Sequence, residues 1–214
     1  LGKAASSLSF EVQAIVRRIE DIHRHTGANE NESSNDDMLS EIERLKQLLE
    51  SLSKFSRPLD NLSLSHDLNE LIQQRLPTYQ KSATGNGIKI VLDLDETGCP
   101  TMITTESIAR VMDSLVDNAI DFSERGQSIV LSSKGRGKFC LLEVSDSGPG
   151  IPNGMKNQIF DPFYTTKSNS SGIGLSICHR IISDHDGSIE ATAGKFGGAE
   201  FLIKLPASKD TNKK

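Results

Sequence analysis

Two glycine-rich segments, about twenty-five residues apart, hold residue types from which a nucleotide site could be built. The first reads DSGPGIP from Asp146, and the second reads SGIGLSI from Ser171 and opens an apolar run. A buried carboxylate can accept a hydrogen bond from an adenine amino group, and glycines let backbone approach a ligand. A helix N-terminus offers free N–H groups to phosphates. Either segment alone would also fit a tight turn, but the two together predict a nucleotide site.

A third group of polar residues lies within the helical repeat of residues 104–122. Ser114, Asn118 and Asp121 are spaced i, i+4 and i+7, so they share one face of the predicted helix, away from its apolar stripe. Such a face can simply be solvated. Beside the glycine-rich segments, the amide oxygen of Asn118 could instead complete an octahedral Mg²⁺ shell with phosphate oxygens and water.

The composition argues against several classes of protein. The 214 residues carry a formal net charge of −5, so we expect no nucleic-acid partner. The three cysteines are far apart without CxxC spacing, which argues against structural zinc or a disulfide framework and favours a cytoplasmic location. No apolar run reaches the ~18–20 residues that span a bilayer, so we expect no membrane contact. The first residue falls in mid-pattern, so we expect a fragment, and any upstream sensor or membrane anchor would lie outside this sequence.

The first 59 residues have the spacing of a helical hairpin. Apolar residues recur at intervals of four and three, a pattern typical of helices that pack along their length. The two runs are Leu8, Val12, Ile15, Ile19 and Ile22, then Met38, Ile42, Leu45, Leu49 and Leu52. Because a lone hairpin buries little surface, we expect residues 1–59 to form a dimeric four-helix bundle with a second copy. Residues 60–66 are the predicted linker.

Residues 67–208 mix helical and strand-like patterns, which indicates an α+β fold, an α/β two-layer sandwich. The helices are predicted at residues 67–76, 104–122 and 172–185, and the strands at 89–94, 128–133, 139–144, 188–193 and 199–205. KGRGK is the predicted turn between the second and third strands. Residues 152–171 show little periodicity, which is typical of a functional lid, and 209–214 are predicted to be a disordered tail.

Five segments resemble, in order and spacing, the motifs of the ATP-binding domain of sensor histidine kinases. They are SLVDNAIDFSERG from Ser114, DSGPGIP from Asp146, IFDPFYTTK from Ile159, SGIGLSICHRIISDHDGSIEATA from Ser171 and GGAEFLIKLP from Gly197. They resemble the N box, first glycine box, F box, second glycine box and closing strand, and FYTTK and SRPL are common in the nitrogen-regulation branch. The resemblance implies the Bergerat ATP-binding fold, preceded by a dimerisation and phosphotransfer hairpin.

The resemblance also implies roles for individual residues. Asn118 would bind Mg²⁺, and Asp146 would recognise the adenine amino group of ATP. The other implied contacts to ATP are Gly148 and Gly150 at the adenine, Phe160, Phe163, Thr166 and Lys167 in the lid, and Gly172, Gly174 and Leu175 at the phosphate-binding turn. Lys167 could instead be a solvated loop residue. The implied partners are a second copy, through residues 1–59, and a response-regulator receiver domain.

Three features depart from the family pattern. Ser170 replaces a usual glycine of the second glycine box, and Ser114 replaces a polar general-base candidate one turn before the Mg²⁺ ligand. A serine hydroxyl can orient water or an acceptor but is a poor base. In the phosphoacceptor box Phe10 replaces the histidine, and the proline is absent. His23 and His25 are alternative acceptors more than three helical turns away.

The sequence leaves three interpretations open. The leading one is the cytoplasmic catalytic core of a sensor histidine kinase, which binds Mg-ATP and takes part in two-component phosphotransfer. The second is an ATP-binding pseudokinase or regulatory dimer that signals by conformation without autophosphorylation. The third is a chaperone- or repair-type ATPase. The helical hairpin and the absence of a water-activating glutamate at position 114 argue against it.

Overall fold

The computed structural model describes residues 17, 42, 64–152, 154–167, 170–195 and 197–208. Contacts between Cα atoms divide the chain into two compact units. The smaller unit is Leu1–Pro58 with Ile159–Ser176, and the larger unit is Leu59–Gln158 with Ile177–Lys214.

Much of the predicted hairpin at 1–59 lies outside the described residues, as does the predicted tail at 209–214. Arg17 and Ile42 are the described residues of the hairpin, and both are helical. Phe10, His23 and His25 fall outside the described part, so the identity of a phosphoacceptor stays a prediction from the sequence.

Between residues 64 and 208, the described residues form seven strands and three α-helices. In chain order they are β1 (Leu64–Asp67), α1 (Leu68–Gly85), β2 (Lys89–Asp93), β3 (Pro100–Ile103), α2 (Thr105–Phe122), β4 (Ser128–Arg136), β5 (Phe139–Ser145), α3 (Gly174–Asp184), β6 (Ser188–Ala193) and β7 (Ala199–Pro206). The main sheet has the order β2-β4-β5-β7-β6. Strand β2 pairs parallel with β4, whereas the β4–β5, β5–β7 and β6–β7 pairs are antiparallel.

The core of the larger unit lies on one face of this sheet. Alternate residues of the strands are buried there, including Leu131, Leu142 and Ile203. Helices α1 and α2 cover that face, and α2 contacts both β4 and β5. Helix α2 places a continuous apolar stripe against the sheet, formed by Ile108, Val111, Met112, Leu115, Val116 and Ala119. The predicted α/β two-layer sandwich is confirmed for the described residues.

Helix α1 continues nine residues beyond its predicted end at residue 76, although Pro77 lies inside it. Tertiary contacts explain the extension. The side chain of Tyr79 is 4% exposed, and its hydroxyl donates a 2.8 Å hydrogen bond to Asp113 on α2. Arg75 forms an ion pair with the same carboxylate at 2.5 Å. Because Arg75 precedes Pro77 and Tyr79 follows it, these contacts hold the helix together across the proline, which removes one backbone donor.

Two short strands were not predicted. Strand β1, which begins inside the predicted 60–66 linker, pairs antiparallel with β3 in a separate two-stranded ribbon. The hydroxyl of Thr101 on β3 donates a 2.5 Å hydrogen bond to the Pro206 carbonyl of β7. Because each strand has four residues, neither shows enough alternation to be recognised, and the pairing depends on contacts distant in sequence.

Two predicted boundaries are wrong for reasons of backbone conformation. Strand β4 runs three residues further, through Arg136, because the turn is formed by Gly137 and Lys138, with Gly137 at φ +63°. Helix α3 begins at Gly174 and not at 172, because Gly172 has φ +65°, outside the helical range. Within the described part of 152–171, a short 3₁₀ helix occurs at Gln158–Phe160.

Candidate nucleotide-binding site

Asp146 lies directly after β5 and is 4% exposed. Its Oδ1 accepts hydrogen bonds from the backbone N–H of Gly148 at 2.9 Å and of Ala199 at 3.0 Å. The backbone N–H of Asp146 donates to the Ala199 carbonyl at 2.9 Å. The carboxylate is therefore held in one orientation by the turn that follows it and by the start of β7.

Three glycines allow the backbone to pack closely around this carboxylate. A Cβ atom at residue 198 would lie 2.2 Å from Oδ1 of Asp146 and 2.3 Å from its carbonyl oxygen. A Cβ at residue 148 would lie 2.4 Å from the Phe122 carbonyl oxygen at the end of α2. Gly150 has φ +75°, and a Cβ there would lie 3.2 Å from the Gly198 carbonyl oxygen. Any side chain at 148 or 198 would displace the backbone that positions Asp146.

Burial raises the pKa of Asp146, and the hydrogen bonds from Ala199 and Gly148 oppose the rise. The cost of removing the ionised carboxylate from water therefore exceeds the stabilisation from these two donors. A further donor, such as an exocyclic amino group, would stabilise the ionised form. An aspartate in this environment suits recognition of a base that presents an amino group.

Ser114 and Asn118 are half-buried on α2, and Asp121, one turn further, is exposed. Between them, Leu115 and Ala119 belong to the buried stripe. The three polar residues thus lie on one side of the helix, as their spacing predicts. An amide oxygen such as that of Asn118 is an oxygen ligand of the type that Mg²⁺ accepts, and it fits a site that phosphate oxygens and water complete.

The Ser114 side chain lies beside the thiol of Cys178 on α3. Burial raises the pKa of that thiol to about 11, and the nearby Ser114 hydroxyl opposes the rise. The Cys178 Sγ also lies 3.9 Å from the Val111 carbonyl oxygen. Ser114 therefore lies where α2 approaches α3, a position that needs no basicity.

In the smaller unit, Phe163 and Gly172 form one closed turn. The Phe163 N–H donates to the Gly172 carbonyl at 3.0 Å. Phe163 has φ +67°, which costs a non-glycine residue conformational energy. A Cβ on Gly172 would lie 2.6 Å from the Phe163 carbonyl carbon. The segments resembling the F box and the second glycine box are therefore tied together directly before α3.

A hydroxyl pair closes the loop between these two segments. The Thr165 Oγ1 accepts a hydrogen bond from the Lys167 N–H at 3.0 Å and lies 2.5 Å from the Ser170 Oγ. Ser170, which stands where the family usually has glycine, thus supplies a bond that glycine lacks. Thr166 is exposed, whereas Lys167 is half-buried.

The other predicted residues of this unit lie nearby in sequence. Phe160 is half-buried at the end of the 3₁₀ helix, Gly174 is the exposed first residue of α3, and Leu175 is half-buried.

Gly198 and Ala199 are the residues that the sequence analysis missed. Asp146, Gly148 and Gly150 come from one segment, but the second donor to the carboxylate, the Ala199 N–H, and the glycine whose Cβ would overlap it, Gly198, come from this second segment. The GGA sequence at 197–199, where the last predicted strand begins, was the available signal. The ligand roles of all these residues stay predictions.

Residues 104–209 match the family model described as histidine kinase-, DNA gyrase B-, and HSP90-like ATPase. Sporulation kinase C of Bacillus subtilis (strain 168) is 32% identical over 179 residues, which are 82% of this chain and 41% of that kinase. The solved catalytic domain of histidine kinase ThkA is 30% identical with a TM-score of 0.63, and the match covers 67% of this chain and 95% of that domain.

A solved complex of histidine kinase ThkA with response regulator protein TrrA is also similar, at 25% identity and a TM-score of 0.69. That match covers 97% of this chain and 60% of the ThkA chain.

The chain spans less than half the length of the curated relatives it matches. Among the helices that the structure describes, none combines the length and apolar character needed to cross a lipid bilayer. The ATPase family match and the coverage of almost a whole catalytic domain at 30% identity agree with the five sequence motifs. The chain belongs to the sensor histidine kinases and contains their ATP-binding domain.

Proposed function

We propose that this chain is the cytoplasmic catalytic core of a sensor histidine kinase and binds Mg-ATP in two-component phosphotransfer. The buried, backbone-held carboxylate of Asp146 carries the proposal. It combines a fixed orientation with a raised pKa caused by burial, which favours an amino-group donor from a ligand.

Different residues would contact the adenine, the Mg²⁺ ion and the phosphates of ATP. Asp146 accepts from the adenine amino group, and Gly148 and Gly150 keep that region free of side chains. Asn118 supplies an amide oxygen to Mg²⁺, which neutralises phosphate charge when bound. The free N–H groups at the start of α3, after Gly172, favour phosphate. Six further residues complete the proposed set: Phe160, Phe163, Thr166, Lys167, Gly174 and Leu175, with Gly174 at the helix start.

Phosphoryl transfer to the protein needs a nucleophile that Phe10 lacks. In such a transfer a histidine nitrogen forms a bond to the γ-phosphorus while the bond to the β–γ bridging oxygen breaks and ADP leaves. His23 and His25 are the proposed alternative acceptors on this chain. An acceptor on another protein is equally compatible with the residues of the ATP-binding domain.

A second candidate function is an ATP-binding pseudokinase or regulatory dimer. In addition to the loss of the acceptor histidine, one structural observation favours this candidate. Ser114, at the general-base position, lies beside the buried thiol of Cys178, so this hydroxyl faces a neighbouring helix. A chain without acceptor and base would keep nucleotide-dependent conformational change without self-labelling.

The proposed partners follow from the family and from residues 1–59. We propose a homodimer through that segment and a response-regulator receiver domain as the second partner. The solved complex of ThkA with TrrA is a histidine kinase bound to a response regulator, and this supports the second proposal.

Incubation of the purified chain with Mg²⁺ and γ-labelled ATP, beside an ATP titration, separates the two candidates. Acid-labile, base-stable label would indicate phosphohistidine, and His23→Gln and His25→Gln would locate it. Binding without label would favour the regulatory dimer or an acceptor on another protein. Absence of binding would contradict both candidates.

A further inference from the structure

Arg110 is a half-buried arginine in the middle of α2 whose charge is not paired within the described part of the chain. No hydrogen bond or ion pair joins its guanidinium to another residue that the structure describes. The guanidinium is always charged and has five N–H donors. Because removing a charge even partly from water is unfavourable without a partner, an anionic ligand that meets this group would stabilise it.

The carboxylates nearest to Arg110 along α2 do not supply that partner. Both carboxylate oxygens of Asp113, three positions later, accept hydrogen bonds from Arg75, and Tyr79 donates to one of them. Glu106, four positions earlier, is exposed, and it forms no ion pair with Arg110. Positions three and four apart are neighbours on a helix surface. An ion pair within α2 was therefore the simplest role for Arg110, and these described residues do not form it.

Arg110 extends the polar face of α2 that carries the proposed Mg²⁺ ligand. Arg110, Ser114 and Asn118 are spaced i, i+4 and i+8, and all three are half-buried. At 1.5 Å per residue, Arg110 lies about 6 Å along the helix axis from Ser114 and about 12 Å from Asn118. At this level α2 approaches α3, since the Cys178 Sγ lies 3.9 Å from the Val111 carbonyl oxygen. The unpaired charge is thus two turns from the proposed metal ligand, on the same face.

The turn after β5 fixes which end of this face lies nearest to the proposed adenine-recognising carboxylate. Gly148 packs against the C-terminal end of α2, where a Cβ at 148 would lie 2.4 Å from the Phe122 carbonyl oxygen. The Gly148 N–H in turn donates to Asp146 at 2.9 Å. A nucleotide with its base at this end and its Mg²⁺ at Asn118 extends its phosphates along the face towards the N-terminus of α2. The terminal phosphate then lies nearest to Arg110.

We propose that Arg110 binds the terminal phosphate of the nucleotide and makes the site prefer a nucleoside triphosphate over a diphosphate. This role rests on the proposed function, because it needs a nucleotide held at Asp146 and Asn118. A guanidinium forms paired hydrogen bonds to phosphate oxygens, and its charge adds to the neutralisation that Mg²⁺ provides. ADP lacks the γ-phosphate, so the contact forms with ATP alone. Arg110 thereby distinguishes the two nucleotides at the end opposite to the base.

Calorimetric titration of the full chain with ATP and with ADP, both with Mg²⁺ present, tests this role. The wild type should bind ATP more tightly than ADP. Arg110→Ala should weaken ATP binding by about 10–100-fold, the loss expected for a hydrogen bond to a charged group, and leave ADP binding unchanged. Arg110→Lys should lose less ATP affinity than the alanine variant, since it keeps the positive charge without the paired donors.

Two further variants separate the phosphate contact from general effects on charge and folding. Arg180→Ala is the matched control, because Arg180 lies on α3 and forms an exposed ion pair with Asp184 at 3.7 Å. It should bind ATP and ADP like the wild type. Arg110→Gln removes the charge but keeps a polar side chain. It should lose ATP affinity as the alanine variant does, at an unchanged melting temperature.

Two results would overturn this role of Arg110 while leaving the nucleotide site intact. One is a wild type that binds ATP and ADP equally tightly. The other is an R110A or R110Q variant that keeps full ATP affinity, or that loses ATP and ADP affinity in equal measure. A wild type that binds neither nucleotide would instead contradict the proposed function, and the role of Arg110 with it.

Discussion

The Oδ1 of Asp146 accepts a 3.0 Å hydrogen bond from the backbone N–H of Ala199, fifty-three positions later in the chain. The same residues are joined in the other direction, because the Asp146 N–H donates to the Ala199 carbonyl at 2.9 Å. The proposed adenine-recognising carboxylate thus depends on the first residue of β7. This pair connects two of the family-like segments within the larger unit.

Asp146→Asn should preserve the fold, because the amide oxygen can still accept both backbone bonds. Burial raises the pKa of Asp146, so the residue's contribution to stability is present in acid and is lost as the pH rises through that raised value. At pH 7 the folded wild-type chain therefore carries the cost of a buried charge. Thermal melting should show D146N equal to or more stable than wild type at pH 7.

The difference in melting temperature between D146N and wild type should shrink as the pH falls through the raised pKa of Asp146. Asp93→Asn, an exposed carboxylate on β2, is the control and should show no comparable gain at pH 7. A melting temperature of D146N several degrees below wild type at pH 7 would contradict this account of the buried carboxylate.

Gly198→Ala should destabilise the larger unit by about 1–3 kcal/mol, since the new methyl group would overlap the Asp146 carboxylate and carbonyl. Gly85→Ala is the matched control, because a Cβ there meets no atom within 4 Å. G85A should be neutral or stabilising by up to about 1 kcal/mol. Urea unfolding at constant m-value measures both, and equal midpoints for the two variants would refute the steric argument.

Gly172→Ala should lower the free energy of unfolding more than Gly154→Ala does. Both glycines have positive φ, +65° at Gly172 and +90° at Gly154. Each substitution forces an L-residue into the left-handed region, at about 1–2 kcal/mol. Only the methyl group at 172 would also collide with the Phe163 backbone, whereas nothing lies within 4 Å at 154. We expect the free energies of unfolding to differ by at least about 1 kcal/mol.

ATP affinity provides a second readout for this pair of variants. The G172A variant should bind ATP more weakly than G154A, because it disturbs the turn before α3. Similar affinities in both variants would remove Gly172 from the proposed phosphate-binding turn.

Asn118→Ala should remove most of the dependence of ATP affinity on Mg²⁺. In the wild type we expect affinity to fall when EDTA removes the metal, whereas N118A should bind similarly with and without it. Asn118→Asp should restore Mg²⁺ dependence, since a carboxylate is also an oxygen ligand. Ser114→Ala is the control, and its ATP affinity should still depend on Mg²⁺. Full Mg²⁺ dependence in N118A would show that another group holds the metal.

The elements carrying strong periodicity were predictable from sequence. The apolar stripe of α2 and the alternation of β6 and β7 placed these elements within one residue of their observed bounds. The far end of α1 was not predictable, because burial of Tyr79 and its bond to Asp113 outweigh the local effect of Pro77. Strands β1 and β3 were missed because four residues show no clear period and their pairing is distant in sequence.

The proposed site, like the fold, was only partly predictable from the sequence. Asp146 and its neighbouring glycines form a local motif that can be recognised in one segment. The contact of Asp146 with Gly198 and Ala199 depends on how β5 and β7 pair. Ser145 lies opposite Glu200, and no local sequence pattern predicts that register. The position of Ser114 beside Cys178 likewise depends on how α2 packs against α3, which the sequence alone did not predict.

An ATP titration of the wild-type chain and D146N by isothermal calorimetry, with Mg²⁺ present, tests the central claim most directly. We expect measurable binding by the wild type and about 10–100-fold weaker binding by D146N, the loss expected for a hydrogen bond to a charged group. Equal affinity in the two proteins would show that Asp146 does not recognise the nucleotide. No binding by the wild type would contradict the proposed function itself.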